Sequence, residues 1–93
     1  MTMDIPWDSV EHEAPGIFDE AYLAGLRKNL LISEKEGVSV SINFLPIIPA
    51  WAKSIENETL QNHYEAAFNH AKRRLKNCKA VTGWTLEELK TSC

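Results

Sequence analysis

Between residues 38 and 44 the chain alternates strictly. Val38, Val40, Ile42 and Phe44 are apolar, while Ser39, Ser41 and Asn43 are polar. A period of two is that of a strand with one buried face. Pro46 and Pro49 close the run, because proline has no donor to give a ladder. Upstream the period changes: Phe18, Tyr22, Leu23, Leu26 and Leu30 recur at helical spacing, with Asp19 and Glu20 placed to complement the dipole of a first turn. This predicts an amphipathic helix over 18–30. Downstream, Leu60, Tyr64, Ala67, Phe68, Ala71, Leu75 and Cys78 fall within an arc of about 100° and predict a second helix over 59–79. Trp51 and Ile55 mark a short helix opened by Pro49. Their phase opposes that of the longer stripe, so a break is expected around 57–59. Thr82, Gly83 and Trp84 read as a turn. Thr85 and Glu88 form a capping-box pattern that would open a short terminal helix, with Leu86 and Leu89 inward.

One strand needs a neighbour, and two readings of the first helix supply different ones. If the helix stops near Asn29, then Leu30, Leu31 and Ile32 form a strand, and a turn through Gly37 makes a hairpin with 38–44. If the helix runs to Glu36 and Gly37 caps it, the strand keeps a free edge, which is a template for a second chain. The second reading is favoured, with Val38, Val40, Ile42 and Phe44 as the strand of a homodimer. Either way the expected fold class is mainly α (small α+β). It has two long amphipathic helices and a short one, with a single strand or small hairpin near 38–44.

Ninety-three residues make one small domain, which buries roughly two-thirds of its unfolded surface. Residues 1–16 hold Pro6, Pro15 and Gly16 and keep no sustained period, so they read as an acidic extended arm; residues 17–93 read as the globular domain. Net charge is −3, but its distribution matters more. Residues 1–20 carry Asp4, Asp8, Glu11, Glu13, Asp19 and Glu20 without a Lys or Arg, whereas 72–79 carry Lys72, Arg73, Arg74, Lys76 and Lys79 without an acid. No apolar run approaches the ~18 residues of a membrane span. The acidic N-terminal stretch has the wrong flank for a secretory or transit signal. A cytoplasmic protein is expected, and Cys78 and Cys93 do not make a disulfide framework.

Little in the chain announces catalysis. There is no glycine-rich phosphate loop and no nucleophile elbow, and the acid pairs Glu11/Glu13 and Glu87/Glu88 fall where carboxylates stay solvated. His63 and His70 are seven residues apart, about 10 Å along a helix, too far to share an ion. No enzyme activity, cofactor or metal is expected. The acidic arm, with Trp7 as anchor and Asp4, Asp8, Glu11 and Glu13 around it, suits capture of a protein partner with a basic surface. Asp4, Ile5, Pro6 and Trp7 resemble the acidic tip of bacterial single-stranded-DNA-binding protein tails. That resemblance implies docking on a larger protein, although here the aromatic is internal and brings no terminal carboxylate. The expected function is therefore a small non-catalytic accessory or inhibitor protein, of a bacterial or mobile-element type, engaging a larger macromolecule.

The alternative is a dimeric DNA-binding regulator. Residues 38–78 resemble the ribbon-helix-helix repressors in the order strand, helix, helix, which implies paired strands presenting Ser39, Ser41 and Asn43 to DNA. No Lys or Arg stands on this strand. Lys72, Arg73, Lys76 and Lys79 would supply the phosphate contacts.

Overall fold

The structure, a computed structural model, describes residues 1–89. Five residues after Met1 form strand β1 (Thr2–Pro6), which runs directly into a single helical turn, α1 (Trp7–Val10). Helix α2 (Glu20–Lys35) follows, then β2 (Val40–Leu45), a 3₁₀ turn at Ala50–Ala52, α3 (Asn57–Arg74) and β3 (Val81–Leu86). The three strands form one sheet in the order β1-β2-β3, and both pairings are parallel. In register, Met3 stands beside Ile42 and Ile42 beside Trp84.

The mainly α expectation is thus overturned by a three-stranded parallel sheet. The strand at 38–44 finds its partners neither in a hairpin nor in a second chain. Residues 30–32 are helical and lie inside α2, yet β2 has no free edge, because β1 covers one side and β3 the other. The segment read as an extended arm supplies β1, in which Ile5 is fully buried. The segment read as a turn and a capping box supplies β3. Val38, Val40, Ile42 and Phe44 therefore cannot form a dimer ribbon, and the ribbon-helix-helix likeness fails with them.

Local chemistry explains the element ends. Asp19 caps α2, its side chain accepting the Tyr22 N–H at 2.9 Å. Gly37, at φ +72°, turns the chain out of that helix where a side chain would be strained. Helix α3 stops at Arg74, and Asn77 takes a left-handed conformation at φ 68°. The helix expected through Lys79 is therefore shorter, and Lys76 and Lys79 lie beyond it.

Alternation decides the two faces of the sheet. Ile5, Val40, Ile42 and Phe44, all at 0% exposure, join Leu23 and Leu30 of α2 and Leu60, Tyr64, Ala67 and Ala71 of α3 in one core. Both crossover helices thus lie on a single face. The other face carries Thr2, Asp4, Ser41, Asn43, Gly83 and Thr85, exposed or half-exposed, with no helix over it among the described residues. Parallel sheets are ordinarily covered on both faces, so this polar face is an unusual surface.

Candidate functional site

Parallel strands end together, so their C-terminal ends form one rim. Pro6 stands beside Leu45 and Phe44 beside Leu86, and the Glu87 N–H donates to the Phe44 carbonyl at 3.0 Å. The rim therefore gathers Trp7 and Asp8 after β1, Leu45 to Pro49 after β2, and Glu87 and Glu88 after β3. In α/β sheets this is the edge at which ligands bind.

The first side of the rim is fixed from below by aromatic side chains. Trp7 is fully buried, with its ring 5.3 Å from Tyr64 and edge-on to Trp51 at 5.9 Å. Glu11 is 1% exposed. One carboxylate oxygen accepts from Trp7 Nε1 at 2.8 Å, the other from the Gly16 N–H at 2.6 Å. The Glu11 carbonyl accepts from Trp51 Nε1 at 2.6 Å, so this one residue ties both indoles to the end of α1. His63 lies edge-on to Trp51 at 5.4 Å.

Beneath β2 and β3, the Tyr64 hydroxyl shares its proton between the carbonyls of Phe44 at 3.1 Å and Glu87 at 2.7 Å. Burial, reinforced by the Glu87 charge, pushes this phenol up to about 12. It stays a donor and pins the end of β3 to the end of β2.

The open face leads up to the rim in rows set by register. Asp4, Asn43 and Thr85 form one row, in which Asn43 Nδ2 donates to Asp4 Oδ1 at 3.3 Å. Above it Pro6 and Leu45 stand side by side. Hydroxyl-bearing ligands suit the lower row, where a carboxylate, an amide and a hydroxyl present both donors and acceptors.

The acidic set expected from the sequence is divided by this arrangement. Trp7 and Glu11 are buried and serve the core, Asp4 lies on the open face, and Asp8 lies on the rim. Glu13 is elsewhere, in a cleft of about 260 Å³ shared with His12, Ile17, Phe18, Asp19 and Glu20. Hydrogen bonding to the Tyr22 amide and to His12 holds Asp19 below the usual carboxylate range. Glu20 is also held low: burial works against its charge, but hydrogen bonds from Arg74 and His70 outweigh that.

Lys72, Arg73, Lys76 and Lys79 are exposed, and Lys72 Nζ sits 5.5 Å over the Phe68 ring. They lie at the C-terminal end of α3 and beyond it, away from the rim. Among the described residues no group of three His, Cys, Asp or Glu side chains is arranged to hold a metal. Cys78 is a buried free thiol, and Cys93 lies outside the described residues. Sequence reasoning missed Asn43 and Thr85 as partners of Asp4 and missed Glu87 as a rim residue. Period-two alternation in β2 does place Asn43 on the polar face, but only the register brings the other two beside it.

No protein-family model matches the chain, and no solved structure matches it. It is similar to a protein described as a glucosylceramidase from Rhizopus delemar, 35% identical over 49 residues. The match takes in 53% of this chain and spans 7% of the length of that protein. No helix among the described residues is long and apolar enough to cross a membrane.

Proposed function

We propose that the chain is a glucoside-binding β/α segment of the glycosidase kind, one wall of a sugar site and not by itself a complete catalytic centre. The observation that carries this reading is the sheet: three parallel strands in chain order, both helices on one face, and a polar face left open. A closed β/α barrel repeats this unit, with helices outside and its ligand at the C-terminal ends of the strands. The partial similarity to a glucosylceramidase supports a glucoside as the ligand. Asp4, Asn43 and Thr85 would meet sugar hydroxyls, with Asp8 and Glu87 at the rim. A cytoplasmic setting belongs to the same proposal and is supported by the free Cys78 thiol.

The test is a titration of ¹⁵N-labelled protein with methyl β-D-glucoside. Amide shifts confined to Asp4, Asp8, Asn43, Leu45, Thr85 and Glu87 are expected, and they should be lost in Asn43→Ala. Absence of saturable shifts, or shifts centred on Lys72 to Lys79, would overturn the reading. Hydrolysis of 4-nitrophenyl β-D-glucoside by the chain alone is not expected, and turnover abolished by Glu87→Gln would show that it carries a working centre.

A further inference from the structure

We infer that the outer flank of α3 and β3 forms a groove for single-stranded nucleic acid, with Lys72, Arg73 and Lys76 on its phosphates and Trp84 against a base. The groove lies away from the rim and does not depend on the glucoside reading. Two adjoining hollows build it. One, of about 360 Å³, opens between Lys72 and Lys76 on one side and the β3 residues Val81 to Trp84 on the other. The second, of about 320 Å³, is lined by Asn69, Lys72, Arg73 and Lys76. Lys72 and Lys76 border both, so the hollows make one continuous basic surface. Among the described residues no acidic side chain lines either of them.

Basic side chains at a helix C-terminus ordinarily complement its dipole, but here that end is already served. Arg27 Nη1 donates to the carbonyls of Arg74 and Lys76 at 3.2 and 3.0 Å, and Arg74 is itself paired with Glu20 at 2.9 Å. Lys76 and Lys79 stand beyond the helix altogether. Among the described residues none of Lys72, Arg73, Lys76 and Lys79 makes an ion pair, in a chain whose net charge is −3. Such a run of unopposed cations fits a ligand that carries several negative charges in a row. The wall of the first hollow narrows the choice. Trp84, half-buried, stands edge-on to Phe68 at 5.8 Å, and Lys72 Nζ lies 5.5 Å over that Phe68 ring. An aromatic wall beside a cation is the pairing that single strands use, with a base on the ring and a phosphate on the lysine. A duplex keeps its bases stacked inside and has none to place in the hollow. An acidic peptide would meet the lysines but brings no flat base to the aromatic wall.

The experiment is fluorescence anisotropy of a labelled oligothymidylate about twelve nucleotides long, within the usual site size for single strands, titrated with the chain across a range of salt. Saturable binding is expected to weaken as salt rises, with a log–log slope of about −2 to −3, three or four phosphates contributing about −0.7 each. Lys72→Ala and Lys76→Ala should each make that slope shallower by about 0.7. Both side chains are exposed, so these variants should keep the wild-type melting temperature. Trp84→Leu should lower affinity at fixed salt by roughly five- to a hundredfold while leaving the slope unchanged, and Trp84→Phe should recover most of the loss. Absence of binding at low salt, or a slope that neither lysine variant alters, overturns the groove. Equal affinity for a hairpin duplex, for polyglutamate or for thymidine monophosphate also overturns it, since the surface would then serve a double helix, any polyanion or a free nucleotide.

Discussion

Glu11 is the residue whose surroundings depart furthest from its type. A carboxylate at 1% exposure is tolerated because two N–H groups face it, from Trp7 and Gly16. Removing it strands the Trp7 indole donor in the interior, whereas the Gly16 N–H belongs to an exposed residue and can turn to water. The one buried unsatisfied donor costs about 1–3 kcal/mol. Glu11→Ala is therefore expected to lower unfolding free energy in urea by roughly 1–3 kcal/mol, with a change in the near-ultraviolet signal of Trp7 and Trp51. An unchanged denaturation midpoint would show that the carboxylate is not the tie described. Tyr64 makes a prediction in pH. Its phenol is raised to about 12 from the ordinary 10. Below pH 10 both folded and unfolded chains hold the proton, so the stabilising effect is fully present there. Between 10 and about 12 the unfolded phenol ionises first, and stability falls as pH rises. Tyr64→Phe should lose stability at neutral pH, together with its two carbonyl contacts, and should show a shallower alkaline decline. Urea titrations on both sides of pH 10 read both effects.

At the scale of elements, backbone conformation sets the boundaries. Gly37 at φ +72° ends α2, and no heavy atom would crowd an added Cβ there, so Gly37→Ala isolates the backbone strain. The expected cost is about 1–2 kcal/mol by chemical denaturation, and a neutral result would show that the turn has relaxed. That glycine was legible in advance as a helix cap, and so was β2, because seven alternating positions admit no other period. The flanking strands were not. In β1, Met3 and Ile5 alternate with Thr2, Asp4 and Pro6, a pattern too short to stand out and masked by its acidic surroundings. In β3, Gly83 reads as a turn, while Thr85 and Glu88 imitate a helix start. What makes both segments strands is the presence of β2 between them, a tertiary influence that local propensity does not contain. The candidate site follows the same division. Asp4, Trp7 and Asp8 could be singled out by residue type, but Asn43, Thr85 and Glu87 become their neighbours only through register.

For the whole molecule, the decisive property is incompleteness of the sheet. Its interior edges are paired and its helices share one face, yet β1 and β3 each keep an outer edge among the described residues. These edges are not equivalent. Met1 and Glu87 both direct their backbone bonds toward β2, so alternation turns Pro6 outward on β1 and the Trp84 and Leu86 amides outward on β3. Pro6 has no N–H and blunts its edge, whereas β3 keeps its donors. Light scattering should therefore give a mass above 10.5 kDa that grows with concentration. Leu86→Pro, which removes one outward donor, should bring the mass down. A concentration-independent monomer would mean that the β3 edge is protected in some other way.

The central position of β2 also governs how the chain reaches its native state. Each neighbour of β2 is separated from it by an entire helical crossover, so no part of the sheet can form from adjacent residues. Loop-closure entropy must be met twice before the ladder is complete, the circumstance that slows folding in proteins dominated by non-local pairing. A ribosome would release β1 first and β3 last. Until β3 emerges, the most apolar strand of the protein waits with one side unfinished, and the helices that formed early have only half a sheet to rest on.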